Sequence, residues 1–135
     1  MRFVEFLKSL VPRRDPGRLG ERVAARHLRQ RGLRILARNW RARSGEIDLI
    51  ALDGSTIVFV EVKATTIEGH GDPLERINAR KLVRIRRAAR AFLAMARSWH
   101  GTARLDGVVV HFARGKLGAT RTKSVRWYPG LHSLD

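Results

Sequence analysis

The chain has 135 residues, no cysteine and a formal net charge of +16 at pH 7. A chain of this length predicts a single domain with a buried core. The lack of cysteine excludes disulfide scaffolds, thiolate metal sites and cysteine nucleophiles. The strong positive charge favours a polyanionic partner, and nucleic acid is the leading class.

The chain divides into a predicted N-terminal extension, residues 1–16, and one predicted domain, residues 17–135. Apolar side chains at helical spacing in the extension, interrupted by charged ones, favour a frayed or docked terminal helix over a signal peptide or a membrane-surface helix. No stretch of the sequence approaches the roughly 18 apolar residues needed to cross a bilayer. We therefore expect a soluble, cytoplasmic protein without membrane insertion.

The first element of the predicted domain is a helix over residues 18–31. Asp15-Pro16-Gly17 precedes it, and Gly32 stands where it should end. One helix face combines a single acid with small and apolar residues, namely Glu21, Ala24, Ala25 and Leu28. This spacing turns the Glu21 side chain towards the protein interior.

Three strands follow the first helix in the predicted order. Leu33 to Ala37 is predicted as a strand, and a polar, arginine-rich loop leads from it to Gly45. Residues 46–52 and 56–63 are rich in β-branched side chains, and Asp53-Gly54 joins them. This pattern predicts an antiparallel hairpin.

A loop over residues 64–72 precedes a long predicted helix. The helix begins at Asp72-Pro73 or, alternatively, is capped by Asn78, and it extends to about Trp99. Its apolar stripe consists of Leu82, Ile85, Ala89, Phe92 and Ala96.

Two strands complete the predicted domain. Residues 105–112, centred on three valines, are typical of a buried strand. Gly115 and Gly118 mark a turn before a last strand over residues 125–128, and Pro129-Gly130 should end regular structure.

Charge is distributed unevenly along the chain. Residues 45–75 hold seven acidic side chains and one base, Lys63, although the segments on both sides are strongly basic. An acidic centre within so basic a protein requires a physical reason.

A hairpin tip at Asp53-Gly54 fixes a predicted register for the two strands. With a loop of two or four residues, Asp48 lies opposite Phe59, and Glu46 lies opposite Glu61. The Asp48 and Glu61 backbones are then diagonal neighbours, roughly 7 to 8 Å apart. Side chains alternate along strands, so these acids gather on one face. The opposite face is predicted to be apolar and to hold Ile47, Leu49, Val58, Val60 and Val62.

Carboxylates gathered on half-buried strands repel one another and lose hydration, so a cation should compensate them. An all-oxygen ligand set favours Mg²⁺ or Mn²⁺, with Asp48 and Glu61 as the predicted ligands. Lys63 lies further along the same face, within reach of metal-bound water or a phosphate oxygen. These parts suit metal-assisted hydrolysis of a phosphodiester. The alternative is that the acids are surface side chains paired with arginines.

Basic residues around this acidic centre are predicted to contact phosphates, which gives affinity without sequence readout. The candidates are Arg41 and Arg43 in the arginine-rich loop and Lys81 and Arg84 in the long helix. A merely solvated basic face is the alternative.

Several motifs in this order resemble a known family of small bacterial proteins, the YraN-like family. The motifs are Gly20-Glu21, Gly45-Glu46-Ile47-Asp48-Leu49-Ile50, Phe59-Val60-Glu61-Val62-Lys63, and Pro73 with Glu75 and Lys81. An Asp on one strand and Glu-Val-Lys on the next, after a helix with an inward Glu, is similar to the PD-(D/E)xK signature of restriction-endonuclease-like nucleases. The resemblance covers roughly residues 17–112.

The resemblance implies an α/β fold with a restriction-endonuclease-like core. Its elements would follow the order helix-strand-strand-strand-helix-strand, with a mixed sheet flanked by helices. By position, Asp48 and Glu61 would hold the metal, and Lys63 would orient water or stabilise the transition state. Glu21 would be the additional helix acid and metal ligand of members similar to archaeal Holliday junction resolvases.

The expected function is a Mg²⁺- or Mn²⁺-dependent nuclease that acts on DNA. It would recognise structure rather than sequence, as in branched or recombination intermediates, and a symmetric substrate would favour a homodimer. The alternative is a non-catalytic nucleic-acid-binding module of the same fold that depends on a partner protein for activity or targeting.

Overall fold

The structure, a computed structural model, describes residues 19–43, 45–66, 79–96, 99–114 and 120–134. The elements in chain order are α1 (Leu19–Gln30), β1 (Arg34–Ala42), β2 (Gly45–Asp53), β3 (Thr56–Thr65), α2 (Ala79–Met95), β4 (Thr102–Arg114) and β5 (Thr120–Ser133). The strands form one mixed sheet in the order β1-β2-β3-β4-β5. The predicted α/β class with a mixed sheet is confirmed.

Some sequence-based predictions lie outside the described residues. They concern the N-terminal extension of residues 1–16, the end of the loop before the long helix, the start of that helix at residues 72–78, and the glycine turn at residues 115–118.

The sheet is buried on both faces, and each face packs against one helix. On β3, Ile57 and Phe59 belong to the core cluster under α2, whereas Val58 and Val60 belong to the cluster under α1. All four side chains are buried, which explains why this strand reads as a continuous apolar run. Glu61 follows directly, so the α2 side of β3 changes there from apolar to charged.

Helix α1 ends at Gln30, and Gly32 terminates it, as the sequence predicts. The Leu33 N–H donates to the Leu28 carbonyl at 3.1 Å, and the Gly32 N–H donates to the Arg29 carbonyl at 3.0 Å. These are the two hydrogen bonds of a Schellman motif, and Gly32 supplies the left-handed φ of 92° that the motif requires. Leu28 and Leu33 both join the core, so the chain passes directly from the helix into β1.

Strand β1 corrects the first strand prediction. The sequence predicts an end at Ala37 and a loop beyond it, but β1 pairs with β2 from Arg34 to Ala42. Arg38 and Arg41 therefore lie on a strand. Because β1 is an edge of the sheet, where charged side chains are tolerated, its polar composition resembles that of a loop.

The hairpin of β2 and β3 is antiparallel as predicted, but its turn lies one residue later. The loop is Gly54-Ser55, and Ile50 pairs with Phe59, so the predicted pairing of Asp48 with Phe59 is wrong by two positions. Gly54 has a φ of 58°, which suits the first position of a two-residue loop. An even shift preserves the faces. The observed register, continued by one step, sets Asp48 beside Glu61.

One predicted side-chain direction in β2 is also wrong. Ile47 packs with Trp40 and Phe92 in the cluster under α2, not with Leu49 on the α1 side. The backbone ladder between β2 and β3 stops at Leu49, and the Asp48 carboxylate accepts a later N–H of β3 instead. The regular alternation along β2 is interrupted at Asp48, which turns Ile47 to the other face.

Helix α2 ends at Met95, earlier than the predicted end near Trp99. Its buried residues are Ile85, Ala88, Ala89 and Phe92, which confirms the centre of the predicted apolar stripe. The chain segment that contains α2 connects β3 to β4, and these two strands are parallel. Neither of the two helices in the described residues is long and apolar enough to cross a bilayer.

Strand β5 overturns the prediction that Pro129-Gly130 ends regular structure, because the strand continues to Ser133. Its register shifts beside Asp106, whose carboxylate accepts the Gly130 N–H at 2.8 Å. Strand β5 is an edge of the sheet, where a proline is tolerated. The Asp106 contact therefore holds the strand within the irregularity.

Candidate active site

Two carboxylates from neighbouring strands meet where β2 and β3 leave the core. Asp48 is half-buried, and Glu61 has only 6% of its surface exposed. Asp48 Oδ2 accepts a hydrogen bond from the Val62 N–H at 2.8 Å. This bond anchors the Asp48 carboxylate on β3 beside Glu61, so the structure brings the two predicted metal ligands together.

The Asp48 carboxyl group has a strongly perturbed pKa. Burial and then the negative charge of Glu61 raise its pKa from 3.8 to about 7. Glu21 adds to the increase, while the Val62 hydrogen bond and Lys81 oppose it without cancelling it. In the absence of a further cation, Asp48 therefore keeps its proton to a higher pH than an exposed aspartate does.

Two lysines face the Glu61 carboxylate. Lys81 Nζ, from α2, contacts Glu61 Oε1, and Lys63 Nζ lies 3.7 Å from the same oxygen. The Glu61 side chain is 7% exposed, whereas the Lys63 and Lys81 side chains are 33% and 36% exposed. The cations thus reach a buried carboxylate from the solvent side.

The two ammonium groups also affect each other. A hydrogen bond with Lys81, followed by burial, lowers the pKa of Lys63. Burial acts to lower the pKa of Lys81, but its hydrogen bonds with Glu61 and Lys63 outweigh this effect and raise it. Lys81 is therefore the more firmly charged of the two.

Helix α1 supplies the third predicted acid. Glu21 lies in the first turn of α1, and its charge contributes to the raised pKa of Asp48. The neighbouring Gly20 allows the helix to come close, because an added Cβ there would lie 2.8 Å from the Ala64 Cβ on β3. The Gly20-Glu21 motif therefore sets α1 against the end of β3.

A second close approach positions α2. A Cβ on Gly45, the first residue of β2, would lie 2.9 Å from the carbonyl oxygen of Arg84. Lys81 lies about one helical turn before Arg84. The contact at Gly45 therefore sets the position of α2 along its axis, and in this position Lys81 reaches Glu61.

The four residues predicted to bind phosphates take different places. Arg41 lies opposite Glu46 in the β1–β2 register, and its Nε is 3.7 Å from the Glu46 carboxylate. Arg43 and Arg84 are exposed. Lys81, by contrast, lies within the site itself and contacts a predicted metal ligand.

The residues present fit a Mg²⁺ or Mn²⁺ ion that is held partly by solvent and substrate. Asp48 and Glu61 offer only oxygen atoms, and burial together with the negative charge of Glu61 raises the pKa of Asp48, which a cation at the site would oppose. Mg²⁺ is usually held by one or two carboxylates together with water and phosphate oxygens. Within the described ranges, no three His, Asp or Glu side chains form a group that could hold a metal ion. Glu21 is therefore not assembled with the pair as a third ligand, and that role stays a prediction.

The sheet places two β5 residues on the face of the site, and no sequence motif indicates them. The registers of β3, β4 and β5 align Lys63, Val109 and Arg126 in one row across the sheet, and Glu61 lies in the row of Tyr128. Arg126 Nη1 donates to Tyr128 Oη at 3.4 Å. This row depends on a parallel pairing across a long connection, which local periodicity does not specify.

Together these features define an α/β protein with a buried, charged site at one end of a mixed sheet. The sequence model of a family described as "Uncharacterised protein family UPF0102" matches residues 20–110. The chain belongs to this family, and the relationship predicted from the YraN-like motifs is confirmed.

Bacterial relatives named UPF0102 protein are similar over most of the chain. The one from Beutenbergia cavernae is 44% identical over 110 residues, which are 82% of this chain and 92% of the relative. The one from Pseudomonas aeruginosa is 43% identical over 104 residues, which are 76% and 83% of the two chains. The one from Acidothermus cellulolyticus is 49% identical over 90 residues, or 67% of this chain and 65% of the relative, just under two thirds of its length.

Proposed function

We propose that this protein is a divalent-metal-dependent nuclease that hydrolyses phosphodiester bonds in DNA and recognises DNA structure rather than sequence. The observation that carries the proposal is the meeting of Asp48, Glu61 and Lys63 where two strands leave the core. Burial and repulsion raise the pKa of Asp48 to about 7. Such an arrangement is unfavourable for folding and is typical of functional sites.

Each residue of the site has a distinct part in the proposed reaction. Mg²⁺ or Mn²⁺ held by Asp48 and Glu61 would supply a water molecule of lowered pKa and neutralise charge on the phosphate. Lys63 Nζ, 3.7 Å from Glu61, adds positive charge where the transition state gains negative charge. Glu21 adds negative charge beside Asp48, which increases the attraction of the site for a cation.

The order of elements supports a restriction-endonuclease-like core for this nuclease. From α1 to β4, the elements follow the order helix-strand-strand-strand-helix-strand, and β4 is parallel to β3. Strand β5 then extends the sheet at its edge. A fold hosts many functions, so the proposal depends on the residues of the site.

Basic rows on both helices support a nucleic-acid substrate. Exposed arginines follow each other at helical spacing on α1 and α2; they are Arg22, Arg26 and Arg29, and Arg80, Arg84, Arg87 and Arg90. Such rows bind phosphates without reading bases. The helices lie on opposite faces of the sheet, so a branched or recombination intermediate could offer phosphates to both. A symmetric substrate of this kind would suit a homodimer.

The test is cleavage of single-stranded, duplex, flap and four-way-junction DNA and RNA with Mg²⁺ or Mn²⁺. Asp48→Asn and Glu61→Gln should reduce the cleavage rate by about 1000-fold or more. Asp53→Asn is the matched control, because Asp53 lies at the other end of β2 and binds Arg104 at 2.8 Å. Cleavage that is equal in the wild type and in Asp48→Asn would come from a contaminant and would contradict the proposal.

The second candidate function is a non-catalytic nucleic-acid-binding module that acts with a partner protein. The contact between Lys81 and Glu61 favours it, because an ammonium group already neutralises one predicted metal ligand. Binding without cleavage under both metals would support this function. Its affinity should fall by about 10³-fold between about 50 and 200 mM salt if six or more phosphates are contacted.

A further inference from the structure

Glu61 has its cation supplied from a distant part of the chain. Its carboxylate is nearly buried, and Lys81 Nζ from α2 contacts Oε1, while Lys63 Nζ lies 3.7 Å from the same oxygen. A buried carboxylate without a partner would be strongly unfavourable. Lys81 therefore neutralises the Glu61 carboxylate, as a bound metal ion would.

The fold holds Lys81 in this place through backbone packing. Gly45 leaves room for the Arg84 carbonyl, which an added Cβ would approach to 2.9 Å. The Lys81 side chain nevertheless remains 36% exposed. Its ammonium group sits on a flexible stem of four carbons and can turn out to the solvent without movement of the helix.

We infer that Lys81 is an internal counter-cation of the carboxylate pair, which a divalent metal ion must displace from Glu61 before it can bind. This inference rests on the proposed function, because it assumes that Asp48 and Glu61 are metal ligands. Both lysines contact the same oxygen, Glu61 Oε1, so a metal ion that binds this oxygen is repelled by the Lys81 ammonium group and competes with it for the same lone pairs.

Displacement gives Lys81 a second position with a consequence for the substrate. Once it leaves Glu61, the ammonium group stays on α2 beside the metal site and close to the exposed Arg84. A phosphate group bound at the metal would then offer it a new anionic partner. Lys81 thereby couples metal binding to phosphate binding, which joins its predicted phosphate contact with its observed place in the site.

The experiment is a calorimetric titration of the full-length protein with Mn²⁺ at constant pH and ionic strength. Lys81→Gln removes the competing charge and should bind Mn²⁺ about tenfold more tightly than the wild type. Lys81→Arg keeps the charge and should bind as the wild type does. Arg34→Gln is the matched control, because it also removes one exposed positive charge but lies at the start of β1, opposite Leu52 and away from the site, and it should leave the affinity within about twofold.

The direction of the change separates this role from a merely structural one. If Lys81 only supported the fold of the site, Lys81→Gln would bind Mn²⁺ more weakly, and equal or weaker binding overturns the inference. If the wild type binds Mn²⁺, Asp48→Asn does not, and Lys81→Gln equals the wild type, only the inference fails. If neither the wild type nor Lys81→Gln binds Mn²⁺, the metal site and the inference fail together. Thermal unfolding of each variant verifies that it is folded.

Discussion

Two buried carboxylates on neighbouring strands are held in contrasting ways. Asp106 on β4 is completely buried and accepts hydrogen bonds from the Arg104 side chain, the Trp127 indole and the Gly130 backbone. Glu61 on β3 is 6% exposed and faces two lysines, with a second carboxylate beside it. Asp106 therefore links β4 to β5, whereas Glu61 lies within a group of charged side chains.

The two carboxylates differ in how firmly their positively charged partners are held. Arg104 is held at both ends, because its Nε donates to Asp106 at 2.9 Å and its Nη2 donates to Asp53 at 2.8 Å. The lysines at Glu61 are about one third exposed, and each reaches Glu61 with an ammonium group at the end of a flexible stem. A carboxylate with fixed partners stabilises the fold. A carboxylate with displaceable partners can exchange them for a metal ion or a phosphate.

The largest expected effect is a loss of stability when the Asp106 carboxylate is replaced. Asp106→Asn places an amide NH₂ among donors and leaves Arg104 without its main partner, so the free energy of unfolding should fall by about 3 kcal/mol. Glu61→Gln makes the same exchange where the lysines can turn to solvent, and its loss should stay below about 1 kcal/mol. Urea unfolding of both variants measures this. An equal loss in the two would show that Glu61 is as structural as Asp106.

A second effect concerns the pH dependence of the carboxylate pair. Folding raises the pKa of Asp48 from 3.8 to about 7, so the folded protein retains a proton that the unfolded chain releases. The stability of the metal-free protein should therefore fall as the pH rises from about 4 to about 7. Asp48→Asn cannot ionise and should be about 1 to 3 kcal/mol more stable than the wild type at about pH 8.

The control for this effect is the same variant at low pH. Near pH 4, Asp48 is protonated in the folded wild type, so Asp48→Asn should confer little or no stabilisation there. Chemical unfolding at both pH values without divalent metal provides the comparison. A variant that is less stable than the wild type at both pH values would indicate that the Asp48 carboxylate stabilises the fold.

A third effect concerns the backbone contact between Gly45 and Arg84 that positions α2. Gly45→Ala brings a methyl group against the Arg84 carbonyl, at 2.9 Å before any shift, and should cost about 1 to 3 kcal/mol. Arg84→Ala removes an exposed side chain but leaves that carbonyl in place, so its cost should stay within about 0.5 kcal/mol. Thermal unfolding measures both. If the two variants behave alike, the close packing at Gly45 is not what positions α2.

The smallest effect tests the extent of the site along the sheet. Arg126→Gln removes a basic side chain from the row that contains Lys63, and it should weaken nucleic-acid affinity by a few-fold and reduce the salt slope by about 1. Arg34→Gln is the control. Arg34 is an exposed arginine at the start of β1, at the end of the β1–β2 pairing that lies away from Glu46 and the site. Equal changes for both variants, measured by fluorescence anisotropy, would indicate unspecific attraction to a basic surface.

Local patterns were sufficient for much of the fold. The helix spacing and Gly32 located α1, and the β-branched runs located β2 and β3. Strands β1 and β5 were underestimated because both lie at edges of the sheet, where arginines and a proline are tolerated. Polar composition cannot distinguish an edge strand from a loop.

In the candidate site, too, local patterns predict the residues of the strands but not the contribution of α2. Asp48, Glu61 and Lys63 were expected on one face because side-chain direction alternates within a strand, and a turn displaced by one residue shifts the register by two positions and keeps that parity. The place of Lys81 was not predicted as such, because α2 is distant from β2 and β3 in the sequence and its position depends on packing at Gly45.

The sequence alone therefore specified the chemistry of this protein: a basic chain with an acidic centre, and a strand pair that carries two carboxylates and a lysine. Tertiary packing specified which cations complete that centre, since it brings Lys81 to Glu61 from α2 and aligns Arg126 with Lys63 across β4. The physical reason is range. Alternation, capping and turn preferences act over a few residues, whereas the partners of a buried charge are set by helix and strand contacts between distant parts of the chain.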